Sequence, residues 1–528
     1  MGEQKPEETH SFTSITRKTL LIFINFLMMG VVGVISWKFV ASYMPPPVEG
    51  VPNEVGIVAS AIAFIGLYSF ITNLGFGASH VKKVSEGEDL GECIGTFFTI
   101  QVIAVIVLVV TVVGSLLFWK YAMGRGFEDP RFEYTVYLVL GYYAANNLST
   151  VGLQTFVAKV EIAKNQAVVL IAAVTQLIVT IIVVLSTDDL YIYASTFVIG
   201  AFINLFISFG YLLKMPIRYP KMRLAKSYFI FSLPLFLVSA LATLTPNIDK
   251  IMIQLFWDSS SVAIYLGGQK FSVYLITIST GLGMILFPTF SSLKAKGRQS
   301  EIKDLIFSSE RLITMIMAPI CVIIFALSLP IVTILGAQEY SASYLILQPL
   351  TIWGFMKSMS APYRNLLMGI GKPWVLAIVS IIGLTSVVVL NIIFIPKDIQ
   401  FLGITLLGMG PRGAALATML SAVATNLSFR IFAYKYEKVF FNPRIFKFMI
   451  ASLLTGGAVY TLQHFFPAEN LIFLLLYSAG GMLLYLALVI VLRATDEEDK
   501  ALFKNVLNPF TMVKYIKDEL LNRNKDHH

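Results

Sequence analysis

Apolar residues in this chain run together for twenty or more positions and then stop at short polar interruptions. A helix needs about 20 such residues to cross the hydrocarbon of a bilayer. Six stretches qualify in the first part of the chain, at 20–43, 55–76, 93–121, 134–158, 167–187 and 191–213. Six more follow at 228–257, 263–290, 305–335, 343–368, 374–395 and 413–435, and a last pair at 446–465 and 471–492. The pattern predicts an all-α polytopic membrane protein of about 14 spans.

Loop charges give the expected orientation. Lys and Arg collect in loops 80–92, 214–226, 294–298 and 435–447, whereas 44–54, 186–190, 336–343 and 465–470 have none. Basic loops stay on the cytoplasmic side, so both termini are expected inside, in a multi-pass protein of the plasma membrane. Loop 120–133 departs from the trend with three basic residues, offset by three acids. The first twenty residues carry Glu, Lys and Arg ahead of the apolar run, which is not the layout of a cleavable signal peptide.

The basic linker 214–227 divides the body into an N-lobe over 20–213 and a C-lobe over 228–435, preceded by a cytoplasmic N-terminus over 1–19. The last two spans occupy 436–492, and 493–528 reads as a cytoplasmic amphipathic tail on the anionic inner leaflet. Two short matches at an offset of 208 suggest a repeat: Leu74-Gly75 with Leu282-Gly283, and Ala163-Lys164 with Gly371-Lys372. Six spans per lobe put both lobes in the same orientation, a parallel repeat about an axis along the membrane normal, with a substrate cavity between them.

Composition narrows the class. The chain is 56% hydrophobic and 13% charged, about half the charge of a soluble protein. Its net charge of +9 follows from the inside loops and tail and gives no case for nucleic acid. Cys93 and Cys321 read as buried free thiols, and the five histidines (His10, His80, His464, His527 and His528) form no metal or catalytic constellation. No glycine loop cradles phosphate, and a membrane glycosyltransferase would need an acidic metal-binding pair in a large outer loop. Asp188-Asp189 lie in a minimal one. The reading is a transporter, not an enzyme, with no cofactor beyond a coupling Na⁺ or H⁺ and no resident metal.

Ionisable groups at membrane depth are costly and mark function. Asp249 and Lys250 sit inside an otherwise apolar span, about 100° apart on a helix, so they cannot share one partner as a simple ion pair. Pro234 and Pro246 in the same span are candidate hinges, expected to break or kink it beside a cavity. Lys38, Lys270, Lys357 and Arg364 add cations, and intramembrane carboxylates other than Asp249 and the flanking Glu310 are nearly absent. Such a cavity suits an anion such as phosphate. Each long cationic side chain can also snorkel to an interface. Asn146 and Asn147, beside Tyr142-Tyr143 and Ser149, form the densest polar patch of the first half and are candidate sugar contacts.

Several stretches together resemble the polysaccharide flippase (Wzx-like) family of the multidrug/oligosaccharidyl-lipid/polysaccharide exporter superfamily. They are 73-NLGFGASHVKKVSEG-87, the run from Asn247 to Leu293 containing VAIYLGGQKFS and FPTFSSL, then 364-RNLLMGIGKPW-374, 391-NIIFIP-396 and 412-RGAALATMLS-421. The fourteen-span count is similar to the MurJ-like lipid II flippases. Loop 396–410 departs from the pattern, being longer and more apolar than expected. The resemblance implies a monomeric flippase that carries a polyprenyl-(pyro)phosphate-linked saccharide to the outer leaflet by alternating access, with membrane lipids as its surroundings. It implies that Asp249 and Lys250 match the family's acidic-basic pair, with Lys250 attracting phosphate and Asp249 serving coupling or an ion pair; Lys270, Lys38, Lys357 and Arg364 join Lys250 as candidate phosphate-binding cations by position alone. A Na⁺- or H⁺-coupled drug or metabolite antiporter of the same superfamily is the competing reading.

Overall fold

A computed structural model describes residues 7–122, 129–399, 403–439 and 442–495; within these, side chains are described outside 7–23, 122, 233–235, 237–238, 242, 277–285, 288 and 399. The tail over 496–528, including the segment read as amphipathic, lies outside the described residues. Among the described residues the fold is helical apart from one short two-stranded pairing in loop 396–410. Its first half comprises α1 (Glu7–Tyr43), α2 (Glu54–Tyr68), the short α3 (Phe76–Ser85), α4 (Leu90–Leu117), α5 (Arg131–Ala158), α6 (Ile162–Ser186) and α7 (Leu190–Leu212). The second comprises α8 (Met222–Phe256), α9 (Ser259–Ser272), α10 (Leu275–Ala295), α11 (Gln299–Ala326), α12 (Ser328–Leu335), α13 (Tyr344–Gly369), α14 (Pro373–Phe394) and α15 (Gly410–Glu437). Helices α16 (Ile445–Phe465) and α17 (Leu471–Val491) pair with each other and lean on α11.

Each of the fourteen expected stretches falls on one of these helices or on a helix pair. Among the described residues, ten helical segments are long and apolar enough to cross a membrane by length and composition. The other four stretches (α5, α8, α9 with α10, and α13) are the ones bearing Asn146, Asp249, Lys250, Lys270, Lys357 and Arg364.

The halves repeat one packing plan. In the first, α5 packs on α2, α4 and α7, and α6 packs on α7; in the second, α13 packs on α10, α11 and α15, and α14 packs on α15. The register differs from the sequence matches. Gly87 and Gly297 end equivalent helices with left-handed φ of 87° and 68°, and the same pair of closing hydrogen bonds follows each. Val160 and Gly371 are likewise equivalent, at φ 59° and 77°. Positions therefore correspond at an offset of 210 to 211, not 208. Loop 396–410 lengthens the later offset because it folds back on itself, pairing Asp398-Ile399 with Ile404-Thr405.

At the end of the bundle opposite the basic loops, the far end, the halves meet closely. Asn53 and Asp258 cap α2 and α9 by accepting from the amides of Gly56 (3.0 Å) and Ser261 (2.6 Å). The second oxygen of Asp258 accepts from the Gly50 amide at 2.9 Å, and the Asn53 amide donates to Ser259 Oγ at 2.9 Å. A Cβ on Gly56 would lie 1.8 Å from the Ser259 carbonyl oxygen, so only glycine permits this approach. The two described basic residues of loop 120–133 are both paired. Arg131 pairs with Glu54 (3.0 Å) and Asp129 (2.7 Å), and Lys120 pairs with Glu133 at 2.8 Å.

Helix α8 bridges the halves. Its basic end is held by α3: Tyr228 hydroxyl meets His80 Nδ1 at 3.1 Å, and Ser232 meets Ser79 at 2.7 Å. Its far end is held by α2, α9, α14 and α15. The expected break at the prolines is absent, since α8 runs as one helix from Met222 to Phe256. Around Pro246, which lacks an amide N–H, Thr245 Oγ1 donates to the Leu241 carbonyl and Asn247 Nδ2 to that of Thr243, both at 2.8 Å. The surroundings of Pro234 lie outside the described residues.

Two outcomes follow. Gly56→Ala should push α2 from α9, so spin labels at Glu49 and Glu339 on the far-end loops should report longer distances; an unchanged distribution would mean the contact yields without opening. His80, in the loop helix α3, is buried between Tyr228 and Thr155 (Nε2 to Oγ1, 3.0 Å), and burial pushes its pKa down from 6.5 to about 4. The fold therefore favours the neutral ring: its stability is full above about pH 6.5 and falls as pH drops towards 4, by about 3 kcal/mol. Thermal melts across that window should steepen with acid in the wild type and flatten in His80→Gln. Equal acid loss in both would assign the dependence to other groups.

Candidate functional site

The polar residues of the second half fall into two sets, those satisfied within the protein and those left open. Asp249 belongs to the first. It is 2% exposed on α8, and its carboxylate accepts from Asn391 Nδ2 of α14 (2.8 Å), Tyr265 hydroxyl of α9 (2.6 Å) and Thr418 Oγ1 of α15 (2.6 Å). Charge-assisted hydrogen bonds of this kind offset the cost of burying a carboxylate. Asn391 Oδ1 is buried without a hydrogen-bond partner. A carboxylate, a hydroxyl and a spare amide oxygen together form an oxygen-rich set able to hold a small monovalent cation or a proton.

Lys250 turns away from Asp249 and donates to Gln269 Oε1 of α9 at 3.0 Å. The two neighbours thus have separate partners, as their helical angle requires. Lys270, the residue after Gln269, is half-buried on α9.

A buried ion pair sets the rotation of α13. Glu310 of α11, fully buried, pairs with Arg430 of α15. Arg430 also donates to the Tyr363 hydroxyl of α13 (2.9 Å) and stacks over its ring at 4.6 Å. Asn426 of α15 links Arg430 (3.0 Å) to Ser360 (3.0 Å). With α13 pinned on these sides, Lys357 and Arg364 lie on its open side, both exposed, seven residues apart and so on one stripe. Helices α9, α10, α11, α14 and α15 pack on other parts of α13, and this side is the one they leave open. Among the described residues neither cation meets a carboxylate.

The remaining candidates fall elsewhere. Lys38 lies at the far end of α1, where Nζ donates to the Gly336 carbonyl at 2.7 Å beyond the end of α12, apart from the α13 stripe. Asn147 donates back to the Tyr143 carbonyl of its own helix at 2.7 Å, whereas Asn146 is half-exposed with its side chain uncommitted among the described residues. Tyr265, Asn391, Thr418 and Arg430 were not singled out from the chain. Lone Asn391 and Arg430 inside apolar runs were the available signal; Thr418 and Tyr265 gave none.

Against this geometry, residues 51–344 match the family described as polysaccharide biosynthesis protein. The chain is 20% identical over 456 residues to the probable low-salt glycan biosynthesis flippase Agl15 of Haloferax volcanii, covering 86% of this chain and 92% of that protein. In fold it is similar to the lipid II flippase MurJ in an inward closed conformation, at a TM-score of 0.71 and 16% identity over 90% of this chain and 99% of that one. It is also similar to an inward-facing multidrug resistance MATE family transporter of the MOP superfamily, at a TM-score of 0.62 and 13% identity over 80% and 99% of the two chains. These likenesses bear out the two-half helical fold.

Proposed function

This chain belongs to the polysaccharide biosynthesis protein family, and on that premise we propose that it is a flippase for polyprenyl-(pyro)phosphate-linked saccharides. One observation supports the reading: on α13, Lys357 and Arg364 are exposed on one stripe with no carboxylate to neutralise them among the described residues, and we place that stripe on the cleft between the halves. Uncompensated cations at membrane depth need an anion, and a lipid-linked phosphate supplies one that already resides in the membrane. Half-buried Lys270 and, beside it, Lys250, buried on Gln269, add positive charge towards the far end. The likeness to a glycan biosynthesis flippase and to the fold of a lipid II flippase supports the same substrate class. Both halves of the cleft lie in one chain, which supports action as a monomer.

The basic end faces the cytoplasm of the plasma membrane in this reading, with both termini there. The far end, closed by Asn53, Gly56, Asp258 and Ser259, is the outer gate. Asp249 couples the cycle: its oxygen-rich set takes Na⁺ or H⁺ between α8, α9, α14 and α15, and the ion's release frees the far half of α8 to move. Pro246, which lacks an amide N–H, makes this stretch of α8 the place where bending costs least. A cationic-drug antiporter shares the fold, but it would meet repulsion from Lys357 and Arg364.

The test is binding of a short polyprenyl-pyrophosphate-linked sugar to purified protein, wild type beside Lys250→Ala and Asp249→Asn. Lys250→Ala should weaken binding about tenfold, and Asp249→Asn should remove any dependence of binding on Na⁺ or pH. No binding by the wild type across several lipids would shift the reading to the antiporter.

A further inference from the structure

The register of the repeat carries more than architecture. Helices α5 and α13 are equivalent members of the two halves and end in the same way. Val160 and Gly371 are both left-handed, and the amides that follow, of Glu161 and Lys372, return to Phe156 (2.8 Å) and Leu367 (2.9 Å). Counted back from these caps, Asn146 of α5 corresponds to Lys357 of α13, and Leu153 corresponds to Arg364. Exposure is compatible with that register: Tyr142, Asn146 and Leu153 are half-buried on α5, the Tyr142 ring edge-on to Tyr143 and Phe197, where Trp353 is half-buried and Lys357 and Arg364 are exposed on α13, while the residues after Leu153 and Arg364 by two and three positions are buried in both. A pseudo-two-fold axis along the membrane normal then places the two stripes at one depth on opposite walls of the cleft. One wall is neutral and amide- and phenol-bearing; the other carries two cations about 10 Å apart along the helix.

We infer that the two halves divide the ligand between them: α13 holds the phosphate groups through Lys357 and Arg364, and α5 holds the saccharide through Tyr142 and Asn146. The division rests on the lipid-linked saccharide reading and adds an orientation to it. A diphosphate has charge to neutralise, which Arg and Lys do and Asn cannot. A sugar offers hydroxyls and an apolar face, matched by an uncommitted amide and a tyrosine ring. Because the two walls belong to different halves, the diphosphate and its sugar tie the halves together only when both are present. A lipid phosphate lacking its sugar engages one wall alone.

Two probes test this on the purified full chain: a C15 polyprenyl pyrophosphate, and the same lipid bearing one hexose. Lys357→Asn should weaken both probes about tenfold. Asn146→Ala should leave the sugar-free lipid unchanged and abolish the affinity gained by adding the hexose. The double exchange Asn146→Lys with Lys357→Asn keeps the total charge of the cleft; it should not restore binding of either probe. Gel filtration and thermal melts establish that each variant is folded, and Lys357→Arg should retain binding where Lys357→Asn does not. Restoration by the double exchange would show that only total charge matters and overturn the division. Equal weakening of both probes by Asn146→Ala, or no gain from the hexose in the wild type, would overturn the role of α5. A wild type that binds neither probe would overturn the flippase reading itself, a result distinct from the others.

Discussion

Hydrocarbon supplies no hydrogen bonds, so every polar group within a membrane protein is either satisfied by the protein or turned towards water. This constraint sorts the charged residues of the second half. Asp249 is closed off by three donors from three helices, and Glu310 by Arg430, with Tyr363 and Asn426 completing the knot. Lys250 is answered by Gln269 and Lys38 by the Gly336 carbonyl. Among the described residues Lys357 and Arg364 are left without a carboxylate, exposed and on one face, with Lys270 half-buried on α9. A fold that stabilises so many other charges internally leaves these two for something that arrives from outside.

The satisfied groups are not idle. The Glu310–Arg430 knot holds α11, α13 and α15 together and fixes which side of α13 is open. Loss of one partner from such a pair costs about 3–5 kcal/mol because the other charge remains buried. The Asp249 knot joins α8 to the second half at its far end, while Tyr228 and Ser232 join the same helix to the first half at its basic end. Helix α8 therefore feels the relative position of both halves, which is what a helix must do if rocking of the halves is to reach a coupling residue.

The helical class and the two-half fold were legible in the chain because each depends on composition within one segment. The register of the repeat was not. Dipeptide matches at 208 fell two or three residues from the true correspondence, and one of its markers, Val160, adopts a left-handed conformation without being glycine, leaving no mark in the sequence. Asp249 stood out as a charge in an apolar run, but its donors lie 16, 142 and 169 residues away. The prolines predicted a break, whereas α8 runs as one helix from Met222 to Phe256, with the Thr245 and Asn247 side chains bonded to backbone carbonyls beside Pro246.

The most direct measurement is transport. Protein reconstituted in vesicles with a fluorescent polyprenyl-pyrophosphate-linked saccharide should carry the lipid between leaflets, read by quenching of the outward-facing label, and Lys357→Asn with Arg364→Gln should slow it to the rate of protein-free vesicles. If the wild-type rate equals that of protein-free vesicles across several saccharides, or if the doubly neutralised variant transports as fast as the wild type, the leftover cations do not serve a lipid-linked phosphate.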